Sequence, residues 1–140
     1  MKIATVLLAL AITLTATTDA DEAPYQVAYF YKVRWGFQQE FEQLFFKNHY
    51  PVLQAQKESG RIRDVQVLKP TFHGDGRGDF TFLTLITFKN FAVLGAPSGE
   101  EAIAKRLFPD QESFRREEQR RFELIEAHWD VPLAPVAPPR

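Results

Sequence analysis

Tyr31–Ile62 reads YKVRWGFQQEFEQLFFKNHYPVLQAQKESGRI. The hydrophobic period changes within it. Tyr31 and Val33 end an alternating run, Gly36 punctuates it, and from Phe37 the spacing becomes helical. Phe37, Phe41, Leu44, Phe45, Asn48 and Val52 recur at the i, i+4, i+7, i+8 intervals of one helix face, widened by Phe46 and Leu53. Pro51 lacks a backbone N–H and its ring clashes with the preceding turn, at a cost of about 3 kcal/mol in a regular helix. The helix therefore kinks or restarts at His49-Tyr50-Pro51, and Gly60 ends it.

On the N-terminal side, Gln26–Val33 (QVAYFYKV) is rich in aromatic and β-branched residues and reads as a strand. Val27, Tyr29, Tyr31 and Val33 share one face, and Ala28 and Phe30 the other. On the C-terminal side, Arg61–Phe72 and Phe80–Lys89 read as two strands of a hairpin, with glycines at 74, 76 and 78 at its tip. Phe80, Phe82, Ile86 and Phe88 are assigned to one face of the later strand. Ser98-Gly99-Glu100-Glu101 fits a capping box that opens a short helix to Phe108. A long helix is expected from Gln111 to Ala127, with Phe114, Phe122 and Ile125 inward and the Arg115–Arg121 charges as a solvated face. Glu112–Arg116 and Glu117–Arg121 stand at i,i+4 spacing. His128–Leu133 is a last strand, placed at a sheet edge by Pro132. Ala134–Arg140 holds three prolines in seven residues and reads as a tail.

The 140 residues carry 17 Lys and Arg against 18 Asp and Glu, a net charge of -1 that speaks against a nucleic-acid partner. Without cysteine there is no disulfide, thiolate metal site or thiol catalysis. At the N-terminus, Met1-Lys2 precedes an uncharged run, Ile3–Leu14, and then small and polar residues to Ala20. That is the layout of a secretory signal cut before Asp21. The run is too short for a crossing of about 20 residues, so no membrane association is expected after cleavage. An uncleaved anchor is the rival reading. Export without disulfides points to a bacterial periplasmic or secreted protein. The expected organisation is a signal over 1–20, one domain over 21–133 and the tail over 134–140.

The order β-α-β-β-α-β, with an extra short helix, is the α+β ferredoxin-like arrangement, in which helices cover one face of a four-stranded antiparallel sheet. The strands are apolar on both faces. A monomer would expose the second face, so pairing of two sheets in a homodimer is expected.

The Tyr31–Ile62 stretch resembles the dimeric α+β barrel superfamily. It has the strand, Gly turn, helix opening on repeated Glu-Phe, His/Tyr-Pro kink and second strand of that group. The superfamily includes antibiotic-biosynthesis-type monooxygenases, stress-responsive barrel proteins and the EthD-like and NIPSNAP-like families. The resemblance covers roughly residues 26–133 and implies a homodimer with a pocket between sheet and helices. In barrel monooxygenases that this chain resembles, pocket aromatics and an Arg hold a planar phenolic substrate, which implies roles for Tyr29, Tyr31, Arg34 and Trp35. The Asn/Trp/His set of haem-degrading relatives is not matched position by position.

His49 and Tyr50 are candidates for catalysis, His49 as a proton shuttle or haem ligand at a pocket mouth. The competing reading has both capping the kinked helix. His128 is a third candidate, since Asp130 shares its strand face and can orient an imidazole; the alternative is a helix-end His beside a core Trp. The ligand pocket is expected at Tyr29, Tyr31, Arg34, Trp35 and His49. No cofactor and no metal site are expected, and His73, Asp75 and Asp79 read as hairpin-tip residues. Two functions are carried forward. One is a barrel binding a small apolar or aromatic ligand, in its enzymatic form a cofactor-independent oxygenase. The other is a non-enzymatic dimerisation or interaction module of the bacterial envelope, with a filled interior.

Overall fold

Alternation in β1, Tyr25–Val33, sends Val27, Tyr31 and Val33 to one side, where each is buried, and Phe30 to the other. The computed structural model describes residues 23–72 and 79–138. The signal-like segment, the glycine-rich turn from His73 to Gly78 and the last two residues lie outside that range.

After β1 the chain forms α1 (Gln38–Leu44), a π-helical turn (Phe45–His49) and α2 (Tyr50–Glu58). The expected kink is thus a turn widened by one residue. It sets Pro51 in the first turn of α2, where its missing N–H removes no helical bond. The strand β2 (Ile62–Leu68) and the strand β3 (Phe82–Phe88) pair antiparallel as expected, shorter at both ends than the sequence suggests. Then come α3 (Ala92–Gly95), α4 (Glu100–Leu107), α5 (Gln111–Glu123) and β4 (Ile125–Leu133). The sheet order is β2-β3-β1-β4, antiparallel throughout, with β4 at one edge.

The helices cover one face. Phe41 and Phe45, both fully buried, meet Tyr31 and Phe82 across the layer, with ring centroids 4.7–6.3 Å apart. Val27, Leu53, Ile62, Ile86, Phe88 and Leu124 complete the core. The opposite face of the sheet carries Ala28, Phe30, Leu83, Leu85, Leu68, Trp129, Val131 and Leu133, by alternation and register. Phe30 stacks flat on Trp129 at 5.3 Å, and Leu68, Val131 and Leu133 are exposed. No helix in the described residues is long and apolar enough to cross a membrane.

Several local expectations are corrected. Phe80 precedes β3 and does not join Phe82 in the core; its ring meets Phe30 on the open face at 5.0 Å. The N-cap of α4 is Gly99, in the left-handed region at φ 72°, and no capping box forms. Ser98 instead accepts from the Glu100 N–H at 3.3 Å. The helix α5 stops at Glu123, because Ile125–Ala127 are drawn into pairing with Lys32 and Val33 of β1. Phe122 is therefore not a core residue; it is 61% exposed.

Candidate functional site

Between the sheet and the helices lies a cavity of about 300 Å³. Its floor is the helix-facing side of the sheet: Tyr29 and Tyr31 of β1, Thr84, Ile86 and Phe88 of β3, and His128 of β4. Its roof is His49, Leu53 and Gln56 from the kinked helix, with Arg121 and Phe122 of α5. Arg61, Ser98 and Glu100 close one end.

The π-helical turn helps to place His49. Asn48, buried beside it, donates to Glu117 of α5 at 2.9 Å, and Lys47 reaches the same carboxylate at 2.6 Å. With the turn tied down on that side, the His49 ring packs edge-on to Phe45 at 5.3 Å and lines the cavity. Burial, reinforced by the positive charge of Arg121 and by His128, pushes the His49 pKa down to about 3. Its imidazole is neutral across the physiological range. The floor is neutral in the same way: burial raises the Tyr29 and Tyr31 phenols to about 12, with Asp130 adding to the effect at both.

His128 lies against Tyr31 with centroids 4.4 Å apart, and its Nδ1 is 3.5 Å from Asp130 Oδ1. The shared strand face brings that pair together as expected. Trp129 points to the open face, so the alternative of a His beside a core Trp does not hold. The capping roles read for His49 and Tyr50 do not hold either: the helix ends there have no side-chain cap. Tyr50 lies with Phe45 and Phe46 and does not line the cavity.

Of the five residues expected in a pocket, Tyr29, Tyr31 and His49 share this cavity. Arg34 and Trp35 do not join it. Both follow the last residue of β1 and are exposed; Trp35 lines a separate surface hollow with Gly36, Phe72 and Phe80. Arg121 is among the cavity residues that the sequence reading missed, with Arg61 and Thr84. Read from the sequence as part of a solvated face, Arg121 is 2% exposed and donates two hydrogen bonds to the Glu118 carboxylate, at 2.9 and 2.7 Å. The available signal was its spacing, seven residues after Phe114 and on the same helix face.

Two polar atoms at the cavity lack partners. Thr84 Oγ1 and Arg61 Nε are buried and without a hydrogen bond among the described residues. Among those residues no cluster of His, Asp or Glu suits a metal ion.

No protein-family model matches the chain, and no curated protein matches it in sequence. Solved structures do match its shape. A dimeric ferredoxin-like protein from an uncultured marine organism gives a TM-score of 0.54 at 7% identity, over 86% of this chain and 97% of that one. A protein of Arabidopsis thaliana gives 0.55 at 11%, over 88% and 97%. A dabb family protein with a ferredoxin-like fold from Mesorhizobium loti gives 0.53 at 11%, over 81% and 98%. The chain has the ferredoxin-like α+β fold, the fold that the Tyr31–Ile62 resemblance implies. Identities this low define the fold and leave the activity to be argued from the site.

The neutral His49 carries a prediction. An imidazole with a pKa of about 3 in the folded state and about 6.5 when unfolded binds fewer protons folded than unfolded between those values. Stability is therefore intact above pH 6.5 and is lost as pH falls toward 3. Between pH 7 and pH 5 the loss from this residue reaches up to about 2 kcal/mol. His49→Gln is expected to flatten the urea-midpoint profile over that range. Parallel profiles for the two proteins would contradict the burial argument.

Proposed function

We propose that the chain is an exported, homodimeric barrel protein that binds a small, largely apolar or aromatic molecule between its sheet and its helices. The observation that carries the binding reading is the cavity of about 300 Å³ with a buried, unbonded Thr84 hydroxyl in its floor. A filled interior, which the interaction-module reading requires, leaves no such space. Pockets of this size, mainly apolar with a few convergent polar groups, are the usual form of small-molecule sites.

In its enzymatic form, a cofactor-independent oxygenase, the reaction opens by taking a proton from the substrate. The base that suits this is His128, which has Asp130 beside it, rather than His49, whose low pKa makes it a weak one. Homodimerisation is supported by the apolar open face around Phe30, Trp129, Val131 and Leu133, and by the dimeric state named for the marine neighbour. Export is supported by the Met1–Ala20 layout.

Phenol, indole and naphthol, titrated into Asp21–Arg140, are expected to raise the melting temperature in step with concentration, as ligands that bind only the folded state do. Ile86→Phe, which fills the cavity, removes the response and keeps the circular dichroism spectrum. A wild-type protein indifferent to every probe favours the interaction-module reading. Native mass spectrometry reads the dimer, and N-terminal sequencing of the periplasmic fraction reads cleavage before Asp21.

A further inference from the structure

We propose that the molecule held in this cavity is a small monocarboxylic acid, its apolar body against Leu53, Ile86 and Phe88 and its carboxylate received by Arg61, Thr84 and Tyr29. The inference rests on the binding reading above and specifies the chemical class that the site takes.

The first support is Arg61, which immediately precedes β2. Its Nη1 donates to the Pro97 carbonyl at 3.3 Å, and its Nε–H is buried with no partner among the described residues. No carboxylate among those residues pairs with it. An arginine keeps its proton throughout the physiological range, so its donors must be met by acceptors. A carboxylate oxygen meets both the charge and the open Nε–H.

The second support is Thr84, 1% exposed, whose hydroxyl faces the cavity unbonded. Tyr29 stands directly opposite it in the β1–β3 register, on the same face of the sheet. Its phenol keeps its proton, so it too presents a donor. Two hydroxyl donors lining the same cavity as a guanidinium with an open N–H fit an acceptor bearing negative charge.

The third support is the balance of the remaining charges. Arg121 is satisfied by Glu118, and one oxygen of Glu100 is engaged by Gln56 at 3.1 Å. A cationic ligand would face Arg61 across the cavity, and a neutral one would leave that charge uncompensated. Glu100 also lines the cavity and acts on Tyr29 in the sense opposite to Arg61. It limits the site to a single negative charge and repels a second.

Calorimetry at pH 7 with 3-phenylpropanoate and its uncharged amide tests the proposal. The acid is expected to bind wild type about 10-fold more tightly or better, the scale of a charge-assisted hydrogen bond. Arg61→Gln is expected to erase the preference, the acid losing about 10-fold more affinity than the amide. Glu100→Gln is expected to tighten the acid alone. A readout independent of variants is the titration of carboxyl-13C-labelled acid in the complex. Pairing with Arg61 lowers its pKa below the free value, whereas mere desolvation raises it. Equal affinity for acid and amide in wild type, a preference that survives Arg61→Gln, or a raised bound pKa overturns the proposal and leaves the cavity reading standing. If neither compound binds while the neutral aromatic probes do, the proposal alone falls. If nothing binds, both fall.

Discussion

Phe82→Ala is expected to destabilise the domain by about 3–5 kcal/mol, the cost of emptying a large aromatic site in a core that relaxes only in part. Phe82 is 1% exposed at the start of β3. Its ring meets four others, those of Tyr31, Phe41, Phe45 and Phe46, at 4.7–6.2 Å. It therefore joins β1, β3, α1 and the π-helical turn in one cluster. Loss of the ring takes one contact from each of those four aromatics and leaves Phe45 alone to join the other three. With domains of this size stable by roughly 5–15 kcal/mol, the variant sits close to its unfolding threshold. A fall in melting temperature of about 10–20 °C is expected. Phe72→Ala is the control: the same truncation at a residue 83% exposed is expected to change stability by less than about 0.5 kcal/mol. Similar losses for the two variants would mean that the cluster does not carry the core.

That contrast also marks what the chain discloses on reading. Phe41, Phe45 and Phe82 lie where periodicity places them, because burial of a helix stripe or a strand face is a local pattern. The fold follows from the order of such patterns, and the Tyr31–Ile62 stretch carries most of it. Phe80 escapes the reading because alternation holds only while the residues stay in the ladder, and β3 begins at Phe82. Ile125 packs against the core as read, but from β4 and not from a helix, because β1 competes with α5 for Ile125–Ala127, a contact between segments about 95 residues apart in sequence; Phe122, still within α5, is exposed. Within the site, Tyr29, Tyr31 and His49 are legible as polar groups set on apolar faces. Arg34 and Trp35 were implied by the superfamily resemblance rather than by their own surroundings, and they lie just past the strand, where nothing directs them inward. Thr84 and Arg61 gave no signal, since an unsatisfied donor is defined by what the other elements fail to bring near it. Arg121 was hidden by its neighbours: five charged residues in the preceding six positions look like a solvated face, while its own side chain turns under the helix.

Arg121 makes the strongest electrostatic prediction. The guanidinium lies over the Phe122 ring at 4.5 Å, and Glu118 chelates it from one turn earlier. Glu118 is 17% exposed at its side chain, so the pair is asymmetric, with the cation far deeper than the anion. Removing the two partners therefore has unequal consequences. Glu118→Ala leaves a charge in the cavity roof with nothing to compensate it, and a loss of about 3–5 kcal/mol is expected. Arg121→Met leaves a carboxylate that can turn toward water, and the loss is expected to be roughly half as large. The double variant Glu118→Leu with Arg121→Met replaces the pair by apolar groups and is expected to recover most of what Glu118→Ala loses. A double-mutant cycle closed on the single variants Glu118→Leu and Arg121→Met, read by urea unfolding, gives the coupling directly, and strict additivity would show that the pair is not a unit. A second consequence ties the pair to the site. Arg121 is one of the charges holding the His49 imidazole neutral. In Arg121→Met the His49 pKa rises toward its ordinary value, which an imidazole NMR titration reads directly. The gap between folded and unfolded values then narrows, so the acid-induced loss of stability shrinks over the window in which His49→Gln abolishes it.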